Sequence, residues 1–299
     1  PIIFAMTMAP LEELISNDIL SYADDSYNYV TGDSLESLSM NLENLLQKHI
    51  SWLKNSGMIV NQNKTEIVVF HKFKQKQITV NLENESIKSR DQMKALGIIL
   101  DSRMKWHEHV EATIKACKKT LYGLKSIRGY FNELEFTKIS TSVFYSRLYY
   151  GCEIWLTPIL TNNLMKRLES IHKRMLRLTI KDYNREISDE KLKLLDKRAS
   201  PKEWSDFSHA KLLYKLLNDH EPDGLFFEIS PAIYFERRYP NRPKVQLNAK
   251  NKHSLNILPN RLHFVAKAIN FDWFDNNTSI GAFKTMAKKQ FFSYLKQTH

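Results

Sequence analysis

Glycine is scarce in this chain, with eight residues in 299. That argues against a glycine-rich loop that cradles phosphate, and neither a G-x-G-x-x-G string nor a Walker string occurs. Cysteine is scarcer still. Cys117 and Cys152 are the only two, too few for a disulfide scaffold or a four-cysteine zinc site, and they read as reduced intracellular thiols. No run of about 18 apolar residues occurs, so no segment reads as a bilayer span. The apolar opening, Pro1–Leu11, lacks the basic flank and small-residue cleavage site of a secretory signal. An intracellular location is therefore expected. Lysine and arginine are absent from residues 1–47, which hold eight acids.

The rest of the composition is that of a globular protein: 42% hydrophobic and 26% charged, with 16 Phe, 13 Tyr and 5 Trp to build a core. The net charge of +11 is unevenly distributed. Residues 1–100 carry nine bases and twelve acids, residues 101–200 twenty and twelve, and residues 201–299 fifteen and nine. An acidic head on a basic body suits a metal-dependent site on a scaffold that binds polyanions. The length suggests two domains. The first residue is Pro, not Met, so the chain is expected to be a fragment or processed piece.

Apolar alternation across residues 19–31, interrupted by Asp24-Asp25 and closed by Gly32, predicts a hairpin. A helix should follow, capped by Asp33 with Glu36 three residues on, and ended by Gly57. Its apolar residues, Leu35, Leu38, Leu42, Leu45, Leu46, Ile50 and Leu53, recur at helical spacing. Strand-like runs cover Ile67–Phe70, Ile78–Leu82 and Ala95–Leu100. This order predicts an α+β layer with the helix on one face of an antiparallel sheet. Helical spacing then takes over, first through Trp106, Val110, Ile114, Cys117, Leu121 and Leu124. Further helices are expected over Glu133–Tyr150, Asn162–Leu178 and Trp204–Asn218. Asn184–Pro201 reads as a boundary, residues 231–260 as a proline-bearing loop or arm, and residues 261–297 as helical in pieces.

Tyr22-Ala23-Asp24-Asp25 is the strongest candidate for chemistry. Adjacent carboxylates on a tight turn repel unless a cation sits by them, and Mg²⁺ is the hard cation that oxygen ligands suit. Two such ions about 3.5–4 Å apart can activate a 3′-hydroxyl and stabilise departing pyrophosphate. Taken alone, the pair reads first as a solvated turn. His107-Glu108-His109 has histidines two apart, which face away from each other on a helix, and no third zinc ligand is evident. Lys115, Lys118, Lys119, Lys125 and Arg128 fall on or near the polar side of one predicted helix. Lys166, Arg167, Lys173, Arg174 and Arg177 do so on another. Such faces are either solvated charge or contacts to phosphate. The aromatics Tyr130, Phe131, Phe144, Tyr145, Tyr149, Tyr150 and Trp155 read as core first and stacking groups second.

The ordered blocks resemble the reverse transcriptases of non-LTR (LINE-like) retrotransposons, in particular jockey-like elements. Ser21-Tyr22-Ala23-Asp24-Asp25 is similar to that family's catalytic turn. Trp52, Gly57 and Asn61-Gln62-Asn63-Lys64-Thr65-Glu66 match the next block. Leu96-Gly97-Ile98 and Leu100-Asp101, with Trp106 and His109, match the one after it. Tyr149-Tyr150-Gly151 and Trp155 resemble its thumb signature, and past residue 200 the likeness thins.

The resemblance implies a partial polymerase palm over residues 1–104, a mainly helical thumb over 105–183 and a basic C-terminal region over 184–299. It implies Asp24 and Asp25 as metal ligands for Mg²⁺, two ions in the complete enzyme, and Tyr22 near the primer end. Lys64 would lie near the incoming deoxynucleoside triphosphate, and Leu96 and Gly97 would grip the primer. The basic residues of both helices would contact an RNA template paired with a DNA primer. The family's further catalytic carboxylate is expected upstream of Pro1. The chain alone is therefore expected not to polymerise, and its partial palm to leave a strand edge unpaired. The alternative is a remnant or co-opted protein that binds nucleic acid without chemistry.

Overall fold

The computed structural model describes residues 2–15, 19–70, 77–82, 85–156, 160–183, 198–218, 233–236, 239–245 and 279–292. It divides into two units, Pro1–Met104 and Lys105–His299.

The first unit is organised by α2, Leu35–Asn55, whose apolar stripe is buried on two sides. On one side Leu46 and Ile50 meet Ile67, Val69, Ile78, Val80 and Leu82. On the other, Leu45 meets Met8 and Leu11 of α1, Ile2–Ile15, and Ile19 of β1, Ile19–Tyr22. Full burial of such a side chain contributes about 1.5–3 kcal/mol, so the stripe dominates the unit's stability. The helix begins one residue later than the Asp33 cap expected from sequence. Ser34 has the extended backbone of a cap, and Ser34 and Ser37 exchange reciprocal side-chain and backbone hydrogen bonds at 3.1 and 3.0 Å. Gly57 ends the helix as expected. Its φ of +74° lets its N–H reach the Lys54 carbonyl (3.0 Å) and the Met58 N–H reach that of Leu53 (2.8 Å), closing a Schellman motif.

Three separate antiparallel hairpins accompany these helices. They are β1–β2 (Ile19–Tyr22, Asp25–Asn28), β3–β4 (Thr79–Leu82, Glu85–Lys88) and β5–β6 (Gln92–Ala95, Ile98–Asp101). The expected strand Ala95–Leu100 is instead split. Leu96 and Gly97 take φ of +46° and +87°, and two consecutive positive φ values make the mirror-image turn that suits a two-residue hairpin. The expected strand Ile67–Phe70 is reduced to one parallel bridge, Val68 to Arg90, although Ile67 and Val69 are buried as its alternation required. The architecture is α+β, with α2 packed against β3 as one layer.

The described residues of the second unit are mainly helical. α3, His107–Ile127, buries Val110, Ile114, Cys117, Leu121 and Leu124, and Trp106 before it is buried too. α4, Glu133–Ser140, runs through a π-turn, Thr141–Tyr145, into α5, Ser146–Leu148. The single helix expected over Glu133–Tyr150 is thus widened at its middle. There the Thr137 carbonyl accepts from the Thr141 hydroxyl (2.7 Å) and Arg198 Nη2 (2.9 Å). Next come α6, Cys152–Trp155, and α7, Asn162–Ile180, which packs against α3. α8, Pro201–Asn218, is joined to Tyr149 by a stack of Trp204 on Tyr149, with ring centroids 4.9 Å apart.

The stretch read as an arm over residues 231–260 contains a hairpin, β7 (Ile233–Glu236) with β8 (Tyr239–Val245). Pro240 and Pro243 fit in β8 because each strand of a two-stranded ribbon has a free edge. α9, Ile280–Phe291, closes the described chain and packs on α8. Most of the Asn184–Pro201 boundary, and residues 246–278, lie outside the described residues.

Candidate metal site and basic helix faces

The β1–β2 hairpin is amphipathic because its side chains alternate. Ile19 is buried against α1 and α2, and its partner Asn28 hydrogen-bonds the Nδ1 of His49 on α2. His49 is itself buried, which lowers its pKa and keeps the ring neutral. Its Nε2 has no hydrogen-bond partner among the described residues. This end of the hairpin is therefore fixed to the core. The opposite face carries Leu20, Tyr22, Asp25 and Tyr27, with Tyr22 directly across from Asp25.

The hairpin turns through Ala23 and Asp24 alone. Ala23 has φ +54°, where a Cβ costs roughly 1–2 kcal/mol. Asp24 and Asp25 are both exposed, as is Tyr22. Two adjacent carboxylates on a tight turn are hard oxygen donors. They suit Mg²⁺, which takes one or two carboxylates and completes its octahedron with water or phosphate. The donor set fits one hydrated ion. Among the described residues no third Asp, Glu, His or Cys joins the pair.

A residue that sequence reasoning passed over sits beside this site. The Tyr27 hydroxyl donates to Asp25 Oδ2 at 3.2 Å and accepts the Leu96 backbone N–H at 3.3 Å. Burial raises the phenol pKa, the Leu96 N–H works against that, and the Asp25 charge adds to it, so the hydroxyl remains a donor. Leu96 is the second non-glycine residue in the unit held at positive φ in a two-residue turn. The structure thus joins two residue pairs that sequence singled out separately, Asp24-Asp25 and Leu96-Gly97, through one side chain. Only its spacing of two from Asp25, which puts both on one strand face, could have indicated it.

No hydrogen bond among the described residues ties Lys64 to that group. It ends a 3₁₀ turn, Gln62–Lys64, and its exposed side chain makes no hydrogen bond or ion pair to another described residue. Glu66, in the same block, pairs with Arg90, whose N–H donates to the Ile67 carbonyl at 2.7 Å.

In the second unit the basic residues divide by surroundings. Lys115, Lys118, Lys119 and Lys125 are exposed along one face of α3, with the exposed Tyr122 among them. Arg128 departs from the polar face expected for it. It is buried, and its guanidinium donates to the carbonyls of Leu178, Phe131 and Thr179 while lying 4.6 Å from the Phe136 ring centroid. On α7, Lys166 and Arg174 are exposed, whereas Lys173 and Arg177 are half-buried. Arg167 forms a two-pronged ion pair with Glu111 of α3, with Nη2 to Oε2 at 2.6 Å. The helix thus uses one of its five basic residues to hold α3.

His107 is exposed, whereas His109 is buried edge-on to Trp155 with its pKa lowered to about 4 by burial. Both thiols are buried and pushed up to about 12, which makes them poor nucleophiles. Phe144, Tyr145 and Trp155 are core, while Tyr130 and Tyr150 are exposed. No helix among the described residues is long and apolar enough to cross a membrane.

Residues 1–100 match the family model described as reverse transcriptase (RNA-dependent DNA polymerase). The matched stretch covers nearly all of the first unit and none of the second. No curated protein and no solved structure matches the chain.

Proposed function

We propose that this chain is part of an RNA-directed DNA polymerase of the non-LTR retrotransposon type. On this reading the first unit carries the metal-binding hairpin and the second binds nucleic acid through its basic helix faces. One observation carries it: two adjacent exposed carboxylates, Asp24 in a two-residue turn and Asp25 at the start of β2, lie inside the stretch that matches the reverse transcriptase family. Asp24 and Asp25 would hold Mg²⁺, which when bound supplies charge to activate a primer 3′-hydroxyl and stabilise pyrophosphate. Tyr22 beside them offers a ring to the primer end. The exposed turn at Leu96-Gly97 offers backbone to the same strand. Lys115, Lys118, Lys119, Lys125, Lys166 and Arg174, all exposed, would meet phosphates, which require charge and reach but no base reading.

The chain by itself is proposed not to extend a primer, because the described residues bring two carboxylates to the hairpin and no third. A second reading, nucleic-acid binding without chemistry, is favoured by the basic faces standing on a unit of their own. Mg²⁺ binding at the hairpin that is lost in Asp24→Asn is expected on the first reading and not on the second; binding to an RNA–DNA hybrid, measured against salt, and primer extension on an RNA template with Mg²⁺ test what the two share. Salt-sensitive binding that survives Asp24→Asn is expected in either case. Asp24-dependent extension by the chain alone would sink the claim of inactivity. Failure to bind the hybrid at low salt would overturn the assignment of the helix faces.

A further inference from the structure

We infer that Tyr27 is a positioning residue that couples the Asp25 carboxylate to the Leu96–Gly97 turn. The inference rests on the metal-site reading of Asp24 and Asp25. Its own basis is a chain of two hydrogen bonds, Leu96 N–H to Tyr27 hydroxyl to Asp25 Oδ2, the first of which joins residues 69 apart. A hydroxyl that donates and accepts at once is polarised by both partners, so a change at one end is felt at the other.

The geometry gives this relay a definite task. Tyr27 occupies one oxygen of Asp25 and leaves Oδ1 and the Asp24 carboxylate for a cation. It thereby selects one rotamer of an exposed side chain that otherwise has freedom to swing. At the other end it supplies an acceptor to an amide in a turn where Leu96 is strained, with φ +46°. Strain of this kind persists only where the surroundings hold it. Ala23, beside Asp24, is strained in the same sense. Two strained turns joined by one hydroxyl make a unit in which cation capture and the position of the Leu96–Gly97 backbone are set together. Phenylalanine would keep the ring and lose the link.

Backbone amide shifts of the ¹⁵N-labelled full chain during Mg²⁺ titration test this. In the parent chain, Mg²⁺ should move the amides of Asp24, Asp25, Leu96 and Gly97. In Tyr27→Phe, Asp24 and Asp25 should still respond, whereas the Leu96 and Gly97 response should fall to that of remote residues such as Lys88. Asp25→Asn, with Tyr27 intact, should displace the Leu96 amide without metal and cut its Mg²⁺ response. It provides the check if Tyr27→Phe disturbs the hairpin. If Leu96 responds equally with and without the Tyr27 hydroxyl, or is unmoved by Asp25→Asn, the relay is overturned and the metal site stands. If Asp24 and Asp25 do not respond to Mg²⁺ in the parent chain, the metal-site reading falls and the relay with it.

Discussion

Arg128 Nη2 donates to the Thr179 carbonyl at 2.6 Å, so the residue just after α3 caps the end of α7. The last carbonyls of a helix have no partners within it, and a buried cation there also meets the negative end of the helix dipole. Arg128 Nε does the same for Leu178, at 3.0 Å.

Arg128→Ala should therefore lower the stability of the second unit by about 2–4 kcal/mol, because it leaves buried carbonyls unsatisfied. Arg128→Lys should recover little, since one ammonium cannot reproduce a planar fork across three carbonyls. Urea unfolding measures both. The salt slope of nucleic-acid binding by the folded variants should stay at the parent value.

Charge removal on the exposed face of α3 should do the opposite. Changing Lys115, Lys118, Lys119 and Lys125 singly to Gln should leave stability within about 0.5 kcal/mol. Removing a lysine that neutralises one phosphate should flatten the dependence of log affinity on log salt by about 0.9 for a duplex. Fluorescence anisotropy with a labelled RNA–DNA hybrid across a salt series would show this, and an unchanged slope in all four would clear α3 of phosphate binding.

The buried His109 makes the second unit sensitive to acid. Its pKa is about 4 in the folded chain against an ordinary 6.5, so on acidification the unfolded chain takes up a proton first. Its contribution should be complete above pH 6.5, fall as the pH drops from there towards about 4, and level off below. His109→Leu should flatten that part of the stability profile, as followed by denaturant midpoints at a series of pH values.

Two glycines should differ in the cost of a methyl group. At Gly57 a Cβ meets nothing within 4 Å, so Gly57→Ala should cost only the positive φ, about 1 kcal/mol, and Gly57→Asn less. At Gly32 a Cβ would lie 2.7 Å from the Leu38 backbone nitrogen, so the start of α2 would have to move. Gly32→Ala should therefore destabilise the first unit more than Gly57→Ala, as thermal unfolding would reveal.

Much of this was legible from local signals. The α2 and α3 stripes, the stop at Gly57 and the hairpin around Asp24-Asp25 follow from periodicity, a residue that tolerates positive φ, and alternation. The cap at Ser34 was missed by one residue because Asp33 and Ser34 are both good caps and only backbone geometry chooses between them. The turn inside Ala95–Leu100 was missed because Leu96 is a poor candidate for positive φ. Arg128 was misplaced because a charged residue following a basic helix face looks solvated until α7 ends above it.

By itself, then, the sequence determined α2, α3, the hairpin around Asp24-Asp25, the adjacent acidic pair and the likeness to reverse transcriptases. Those depend on residue type and on spacing within one element. Tertiary structure alone decided which side chains serve as links: Tyr27 between two turns, His49 beneath the hairpin, and Arg128 and Arg167 between helices. Each link joins positions 21 to 69 residues apart, and no periodicity within an element records what a fold brings to the other end of a hydrogen bond.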